Sequence, residues 1–398
     1  MISVKAIVIL VLFSSLSWSQ YLDMNDVTIL MPVPQPGEEN LLIKPTDVTR
    51  SGELLFPAQN LFVGFELDIG SRRPMIHQTD DFRVIGIRLD HFQRQLYINL
   101  VWQKPVNGGI YTQASIHSGH TILDLPIFLS KMEELNHRLR RTNSRGSLPL
   151  QVNPTIAAEG FSGRYYQELK KIIMGHISPA FRVTFRSSRH SDGANGFAGW
   201  ELPINLNQPS VNQFEVIPEY QPIQEPFRNW ETYIPYTYLE IKNKLFSNVV
   251  TVGGLPPYTT KNFQPLIEDG SRAVTLPERE LLEMIGRVYM VENPRIIPGI
   301  VQTECMSCHF AQPVRNMTLK LRPGLPYEKF AERMVFTSAR YNLQNLSPVP
   351  RSNFTMAMGY VENTALWSQR LINETADTLE MLYGNRGALS SVRVRGSH

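Results

Sequence analysis

The stretch 82–102, FRVIGIRLDHFQRQLYINLVW, decides how the N-terminal part of this chain is interpreted. Its second half, 95–102, is rich in strand-forming residues, and every second residue from Leu96 to Trp102 is apolar. Such alternation is typical of a strand with one buried face. Residues 82–89 also favour a strand, although Val84 and Ile87 are out of strict alternation. A third strand, 109–116, follows the turn-forming sequence NGG at 107–109.

Further strands are expected on both sides of this stretch. Two helices interrupt them, at 125–141 and 164–174, where apolar residues recur at helical spacing. Prolines separate the later strands, and no fixed-period repeat is visible. The additional predicted strands are 27–31, 181–185, 200–206, 214–217, 236–241 and 249–252. The pattern predicts a β-rich domain over 20–270, sandwich-like with one or two helices.

The character of the sequence changes near residue 270. Thr275-Leu276-Pro277-Glu278 has the form of a capping box and predicts a helix over 277–291. Two further helices are expected at 326–336 and 363–383. The fold class is therefore α+β, with a small α-helical domain over 271–385 and a flexible basic tail over 386–398.

The first residues have the pattern of a secretory signal peptide over 1–19. Lys5 provides a positive charge, an unbroken apolar run AIVILVLF follows, and small residues precede the expected cut before Gln20. The run is shorter than the roughly 20 residues that span a bilayer, and no later stretch is apolar enough to do so. We expect an exported protein without a transmembrane segment after cleavage, located in the periplasm.

Composition excludes several classes of protein. The chain has 398 residues with a net charge of only +3, which does not support nucleic-acid binding. Hydrophobic residues make up 42% and charged residues 19%, so a sizeable core can form and extensive disorder is not expected. Two cysteines exclude a scaffold built on several disulfides.

Both cysteines lie in one pentapeptide, Cys305-Met306-Ser307-Cys308-His309. Cys-x-x-Cys-His is the attachment sequence of c-type haem. Two thiols on one turn can reach the two vinyl groups of a porphyrin, and the next residue then presents an imidazole to the iron as its proximal ligand.

Residues 275–385 resemble the c-type cytochromes on the basis of this motif. The resemblance implies a monohaem module, in which a helix precedes the motif, a loop supplies a distal Met, and a C-terminal helix packs across the first. It makes Cys305 and Cys308 the thioether positions of one haem c and His309 the axial ligand. The chain departs from the family pattern in one respect, because the Pro-rich loop 293–299 separates the first helix from the motif.

Met358 is the favoured sixth iron ligand, and Met356 is the alternative. Met358 and Met356 are expected in a loop just before the final helix, and Gly359 beside Met358 would allow a close approach. A Met thioether would give a six-coordinate, electron-transferring iron. If neither residue binds, the iron is five-coordinate and open to small ligands, so an enzymatic role is possible in principle.

Other chemistries compete with the haem interpretation. The two cysteines could form a redox-active dithiol or a plain disulfide, although a dithiol is expected at the start of a helix that follows a buried strand. A zinc site would need ligands from elsewhere in the chain. His117 and His120 could form a metal pair, but a polar loop is the favoured interpretation of HSGH.

The sequence thus predicts an exported bacterial protein similar to c-type cytochromes, with one-electron transfer to an unidentified redox partner protein. The alternative is an exported binding protein with a structural Cys305–Cys308 disulfide and no haem.

Overall fold

The computed structural model describes residues 22–55, 81–92, 95–106, 108–139, 148–191, 194–203, 236–237, 263, 265–266, 272–297, 305–347, 357–361 and 363–384. The predicted signal peptide, the strands 214–217 and 249–252 and the C-terminal tail lie outside these residues and stay predictions. In the described part, the chain is a mixed α and β protein.

An antiparallel sheet forms the centre of the N-terminal part. Its strands lie in sequence order, so that each pairs with the next along the chain. They are β1 (Thr28–Leu30), β2 (Arg83–Phe92), β3 (Gln95–Val106), β4 (Gly109–Ile122), β5 (Ile177–Ser191), β6 (Ala194–Pro203) and β7 (Tyr236–Thr237). β2 pairs with residues 95–103 of β3, from Arg83 opposite Gln103 to Phe92 opposite Gln95, with one irregularity between Val84 and Gly86. The stretch 82–102 thus supplies the second strand and most of the third strand of the sheet.

Helices pack on this sheet and share its buried core. In chain order, the short helix α1 (Met24–Val27) precedes α2 (Leu125–Leu139), and the short helix α3 (Pro154–Glu159) precedes α4 (Arg164–His176). Apolar side chains of α2 and α4, among them Phe128 and Leu169, belong to the same buried cluster as the sheet. Their one-sided apolar pattern explains both the helices and the face that they bury.

A second, smaller buried cluster lies in the C-terminal part. It is built by α5 (Arg272–Thr275), α6 (Glu278–Glu292), α7 (Cys305–Leu321) and α8 (Tyr327–Ala331). α6 and α7 are packed against each other, and α8 packs on α6. Side chains such as Leu281, Ile285 and Val314 are almost completely buried between them.

The last described part of the chain joins the two clusters. It consists of a hairpin, β8 (Met358–Val361) and β9 (Thr364–Trp367), followed by α9 (Gln369–Gly384). On β9, Leu366 belongs to the helical cluster and its neighbour Trp367 to the sheet cluster. The hairpin and α9 thus pack against the N-terminal sheet. The domain boundary near residue 270 stays a prediction.

Several sequence predictions are confirmed and others need correction. The helices at 125–141, 164–174 and 277–291 and the three strands between 82 and 116 are present, most of them with slightly different ends. The prediction of a capping box at 275–278 is wrong, because Thr275 ends α5 and the N-cap of α6 is Pro277, which has no side-chain hydrogen bond. The helix predicted over 363–383 starts at Gln369, since residues 364–367 form a strand. The described residues contain a single large sheet and the β8–β9 hairpin, so the second layer of a sandwich is not seen among them.

A buried ion-pair network fastens α9 to the sheet. Glu374 accepts hydrogen bonds from Arg88 of β2 and from Nε of Arg370, the latter at 2.6 Å. Burial alone would raise the pKa of Glu374, but Arg88 and Arg370 outweigh it and hold the pKa well below its usual value. A second contact between α9 and the N-terminal part joins the hydroxyls of Thr28 and Thr375 at 2.8 Å.

Replacing the shared carboxylate tests this network. Glu374→Gln leaves the buried Arg370 without its carboxylate partner and leaves Arg88 with Asp90 alone, and we expect the free energy of unfolding to fall by about 3–5 kcal/mol. The matched control is Glu283→Gln on α6, because Glu283 also pairs with an arginine four residues away, Arg279, but at an exposed position. That control should change stability by less than ~0.5 kcal/mol. Equal effects in chemical denaturation would contradict the assigned role of Glu374.

Candidate functional site

The pentapeptide of the predicted haem site forms the beginning of helix α7. Positions 305, 308 and 309 are spaced three and four residues apart, so they lie on adjoining positions of one helix face. Pro313 lies inside the same helix and cannot donate the usual hydrogen bond to the carbonyl of His309. The side chains of Cys305, Cys308 and His309 are outside the described part of the structure.

The segment that leads to the motif bears on its chemistry. The last described residues before it, 293–297, form turns in which the amides of Ile296 and Ile297 donate to the carbonyl of Asn293. They do not form the buried strand that is expected before a redox-active dithiol. The start of α7 at Cys305 is nevertheless a feature that a dithiol site would share.

One turn beyond the motif, Gln312 connects α7 to the first residue of α9 and, through Asn345, to the end of the β8–β9 hairpin. Its Oε1 accepts from the amide of Gln369 at 2.9 Å and from Nδ2 of Asn345 at 3.2 Å. Asn345 also donates to the carbonyl of Trp367 at 3.2 Å. Gln312 is buried, and it shares a helix face with positions 305, 308 and 309. The face that carries the motif is therefore continuous with a polar contact to the hairpin and α9.

A buried carboxylate connects α7 to α6. Glu292, the last residue of α6, accepts a hydrogen bond from Nη1 of Arg315 on α7. Burial raises the pKa of Glu292 to about 7, while the Arg315 guanidinium acts in the opposite direction without offsetting the burial. The guanidinium of Arg315 also lies 5.6 Å from the centre of the Tyr289 ring.

Two side chains of α9 hold the C-terminal end of α6. Arg370 donates to the carbonyl of Val291 at 2.8 Å and to the carbonyl of Ile297 at 2.6 Å. Asn373 donates to the carbonyl of Glu292 at 2.8 Å. The last carbonyls of a helix have no partner within it, so these bonds satisfy groups that would otherwise be buried unpaired.

Of the two candidate methionine ligands, the structure describes Met358. Met358 is on strand β8 rather than in the predicted loop, and it is almost fully buried in the sheet cluster. Its methyl group fills the space beside Gly86, where a Cβ atom would overlap it. Met356 lies outside the described residues. Ligation by either methionine stays a prediction.

The two histidines of HSGH are on strand β4, which corrects the expected polar loop. Three residues apart on a strand, His117 and His120 point to opposite faces and cannot share a metal ion. His120 is fully buried, with Nε2 2.7 Å from Oγ of Ser118 and Nδ1 2.9 Å from the carbonyl of Ser178. Since a carbonyl only accepts, Nδ1 carries the hydrogen and Nε2 accepts from Ser118. Burial lowers the pKa of His120 to about 4, so the ring is neutral.

Sequence reasoning missed the polar groups that surround α7. Gln312, Arg315, Glu292 and Asn373 carry no motif, and their spacing is that of ordinary exposed helix residues. One signal was available in α9, where Arg370 and Glu374 are four residues apart in a helix that also has apolar residues on several sides. That pattern indicates a helix buried all round, in which charged groups need partners.

Comparisons with known protein families, with curated proteins and with solved structures find no match to this chain. Within the described ranges, His, Cys, Asp and Glu side chains form no group of three or more that could hold a metal ion. The helices seen in the same ranges are all too short or too polar to cross a membrane.

The two titratable groups described above give opposite pH dependences of stability. The folded pKa of His120 is below its unfolded value of 6.5, so its contribution is present above pH 6.5 and is lost as the pH falls towards 4. The folded pKa of Glu292 is above its unfolded value of 4.5, so its contribution is present below pH 4.5 and is lost as the pH rises through about 7.

Single variants should separate these contributions. Between pH 4.5 and 6.5 each group changes stability by about 1.4 kcal/mol per pH unit, in opposite directions. Relative to the wild type, His120→Gln should gain stability on acidification in this range, and Glu292→Gln should lose it. Denaturant titrations at several pH values measure both slopes, and parallel slopes for all three proteins would contradict the assignments.

Proposed function

We propose that this chain is an exported bacterial protein similar to c-type cytochromes, which holds one covalent haem c and transfers single electrons in the periplasm. The observation that carries the proposal is the pentapeptide 305–309, which contains both cysteines of the chain and the histidine that follows them. Two thiols and an imidazole within one helical turn are the donor set that haem c requires. Its position at the start of α7 is compatible with that chemistry.

The residues of the motif have separate roles in this proposal. Cys305 and Cys308 would hold the porphyrin through two thioether bonds, and His309 would bind the iron. When bound, the haem supplies one-electron oxidation and reduction at the iron. Gln312 and Arg315 join α7 to the first residue of α9 and to the last residue of α6.

Methionine ligation on the distal side is assigned to Met356 in preference to Met358. The support is the contact of Met358 with Gly86, which gives that side chain a packing role in the sheet core. The β-rich part of the chain has no assigned chemistry, and we expect it to dock an unidentified redox partner protein. The predicted signal peptide 1–19 supports export, and in bacteria haem c is attached to a protein after its export.

A second function, an exported binding protein with a Cys305–Cys308 disulfide and no haem, is supported by one observation. The cysteines are at the start of a helix, where a disulfide between positions three residues apart is also found. His309 separates the two functions, since a disulfide does not require it.

Covalent haem is tested by expression in a host that matures haem c. After extraction with acid and acetone, we expect the Soret band to stay with the wild-type protein. The double variant Cys305→Ala/Cys308→Ala should be colourless, and the single variants should change the reduced haemochrome spectrum because one thioether is missing. A colourless wild-type protein without free thiols would contradict the haem and favour the disulfide.

The distal ligand is tested with Met356→Leu and Met358→Leu. We expect the first variant to lose the long-wavelength absorption of a Met-bound ferric haem, and the second to keep it. Because leucine conserves most of the volume, Met358→Leu should cost less than ~1.5 kcal/mol of stability. The reverse spectroscopic result would assign the ligand to Met358.

A further inference from the structure

The buried carboxyl group of Glu292 has an unusual set of contacts. The residue is 3% exposed and is the last of helix α6. One of its oxygens accepts from Arg315, and the other, Oε1, has no hydrogen-bond partner in the described part of the chain. A buried carboxylate with one unpaired oxygen is costly to keep ionised, and protonation of that oxygen removes much of the cost.

The position of Glu292 in its helix also disfavours the ionised form of its carboxyl group. The C-terminal end of a helix carries partial negative charge, which disfavours a second negative charge there. Asn373 occupies the carbonyl of Glu292, and Arg370 the carbonyl of Val291, so neither of these α9 side chains is bound to the carboxyl group. The positive charge of Arg370 is matched by Glu374 at 2.6 Å. Arg315 of α7 is thus the cation that faces Glu292 directly, and the Tyr289 ring of α6 lies beside it.

Arg315 connects this carboxyl group to the helix of the motif. Positions 308 and 315 are seven residues apart and share one face of α7, about 10 Å apart along the helix axis. The side chain of Arg315 is 14% exposed, so the ion pair borders on solvent and a proton has a short path to Glu292. A charge added near position 308 is therefore joined to the Arg315–Glu292 pair by about two turns of the same helix.

We propose that Glu292 is a redox-linked proton acceptor, which takes up one proton from solvent when the protein takes up one electron at the motif. This inference rests on the proposed haem. One electron comes from a one-electron reductant, one proton comes from water to convert the carboxylate into a carboxylic acid, and the net charge of the protein is unchanged. The protonated Glu292 no longer neutralises Arg315, whose positive charge then offsets the added electron.

The size of the effect follows from electrostatics. If the added charge is separated from the carboxyl group by a distance comparable to the ~10 Å between positions 308 and 315, an effective dielectric constant near 20 gives a change in proton affinity of about tenfold. By linkage the same factor applies to the reduction equilibrium, and for one electron it corresponds to about 59 mV. Because burial already brings the pKa of Glu292 to about 7, the coupling is expected around neutral pH.

The test is a redox titration of the haem-loaded protein between pH 5 and 9 with small one-electron mediators. For the wild type we expect the midpoint potential to fall by about 59 mV in total across neutral pH. Glu292→Gln should remove this fall, and the exposed control Glu283→Gln should retain it. A Glu292→Gln protein that keeps the wild-type pH dependence would overturn the inference while leaving the haem in place.

A second readout needs no glutamine variant. Infrared difference spectra of the wild type, reduced minus oxidised, should contain a new carboxylic acid C=O band that shifts in Glu292→Asp. Absence of an acid band on reduction, or a band unmoved by Glu292→Asp, would overturn the inference. A protein without covalent haem would overturn the proposed function and this inference together, and the visible spectrum distinguishes that outcome from the others.

Discussion

Glu374 is the group on which the rest of this structure depends. Its carboxylate lies between Arg88 of the sheet and Arg370 of α9, and Arg370 in turn holds the carbonyls of Val291 and Ile297. One acidic side chain thereby connects strand β2 of the sheet to the end of the helix that precedes the motif. Removing water from three charged groups is expensive, and it is compensated only when every group has its partners.

As a consequence, the motif helix α7 is connected, directly or through α9, to the helical cluster and to the N-terminal sheet. α7 contacts α6 through the Glu292–Arg315 pair and contacts the first residue of α9 through Gln312. The hairpin and α9 pack on the N-terminal sheet, and Leu366 and Trp367 place neighbouring side chains in the two hydrophobic clusters. A cofactor attached at residues 305–309 would be electrostatically coupled to buried charges that belong to several elements.

The sequence predicted the elements with regular patterns. Strands β2 to β4 follow from the alternation around 82–116, and α2, α4 and α6 from apolar residues at helical spacing. It could not predict that residues 364–367 form a strand, because that pairing depends on Met358–Val361 and on the packing of Leu366 and Trp367. It also placed His117 and His120 in a loop, since local polarity does not reveal that Ser118 and Ser178 satisfy a buried imidazole.

The candidate site divides in the same way. The pentapeptide is visible in the sequence because covalent attachment needs a fixed spacing, whereas the polar shell around α7 has no spacing rule. The packing of α9 on α6 brings together Arg370, Asn373 and Glu292, which are up to 81 positions apart in the sequence. Only the fold shows that such groups are buried and share partners.

The most direct test of the central claim is the intact mass of the full chain after expression in a host that matures haem c. We predict the mass of a chain beginning at Gln20 plus the mass of one haem, which survives denaturation. A mass lower by two hydrogens than that of the same chain, with no haem added, would contradict the cytochrome account and indicate a disulfide between Cys305 and Cys308.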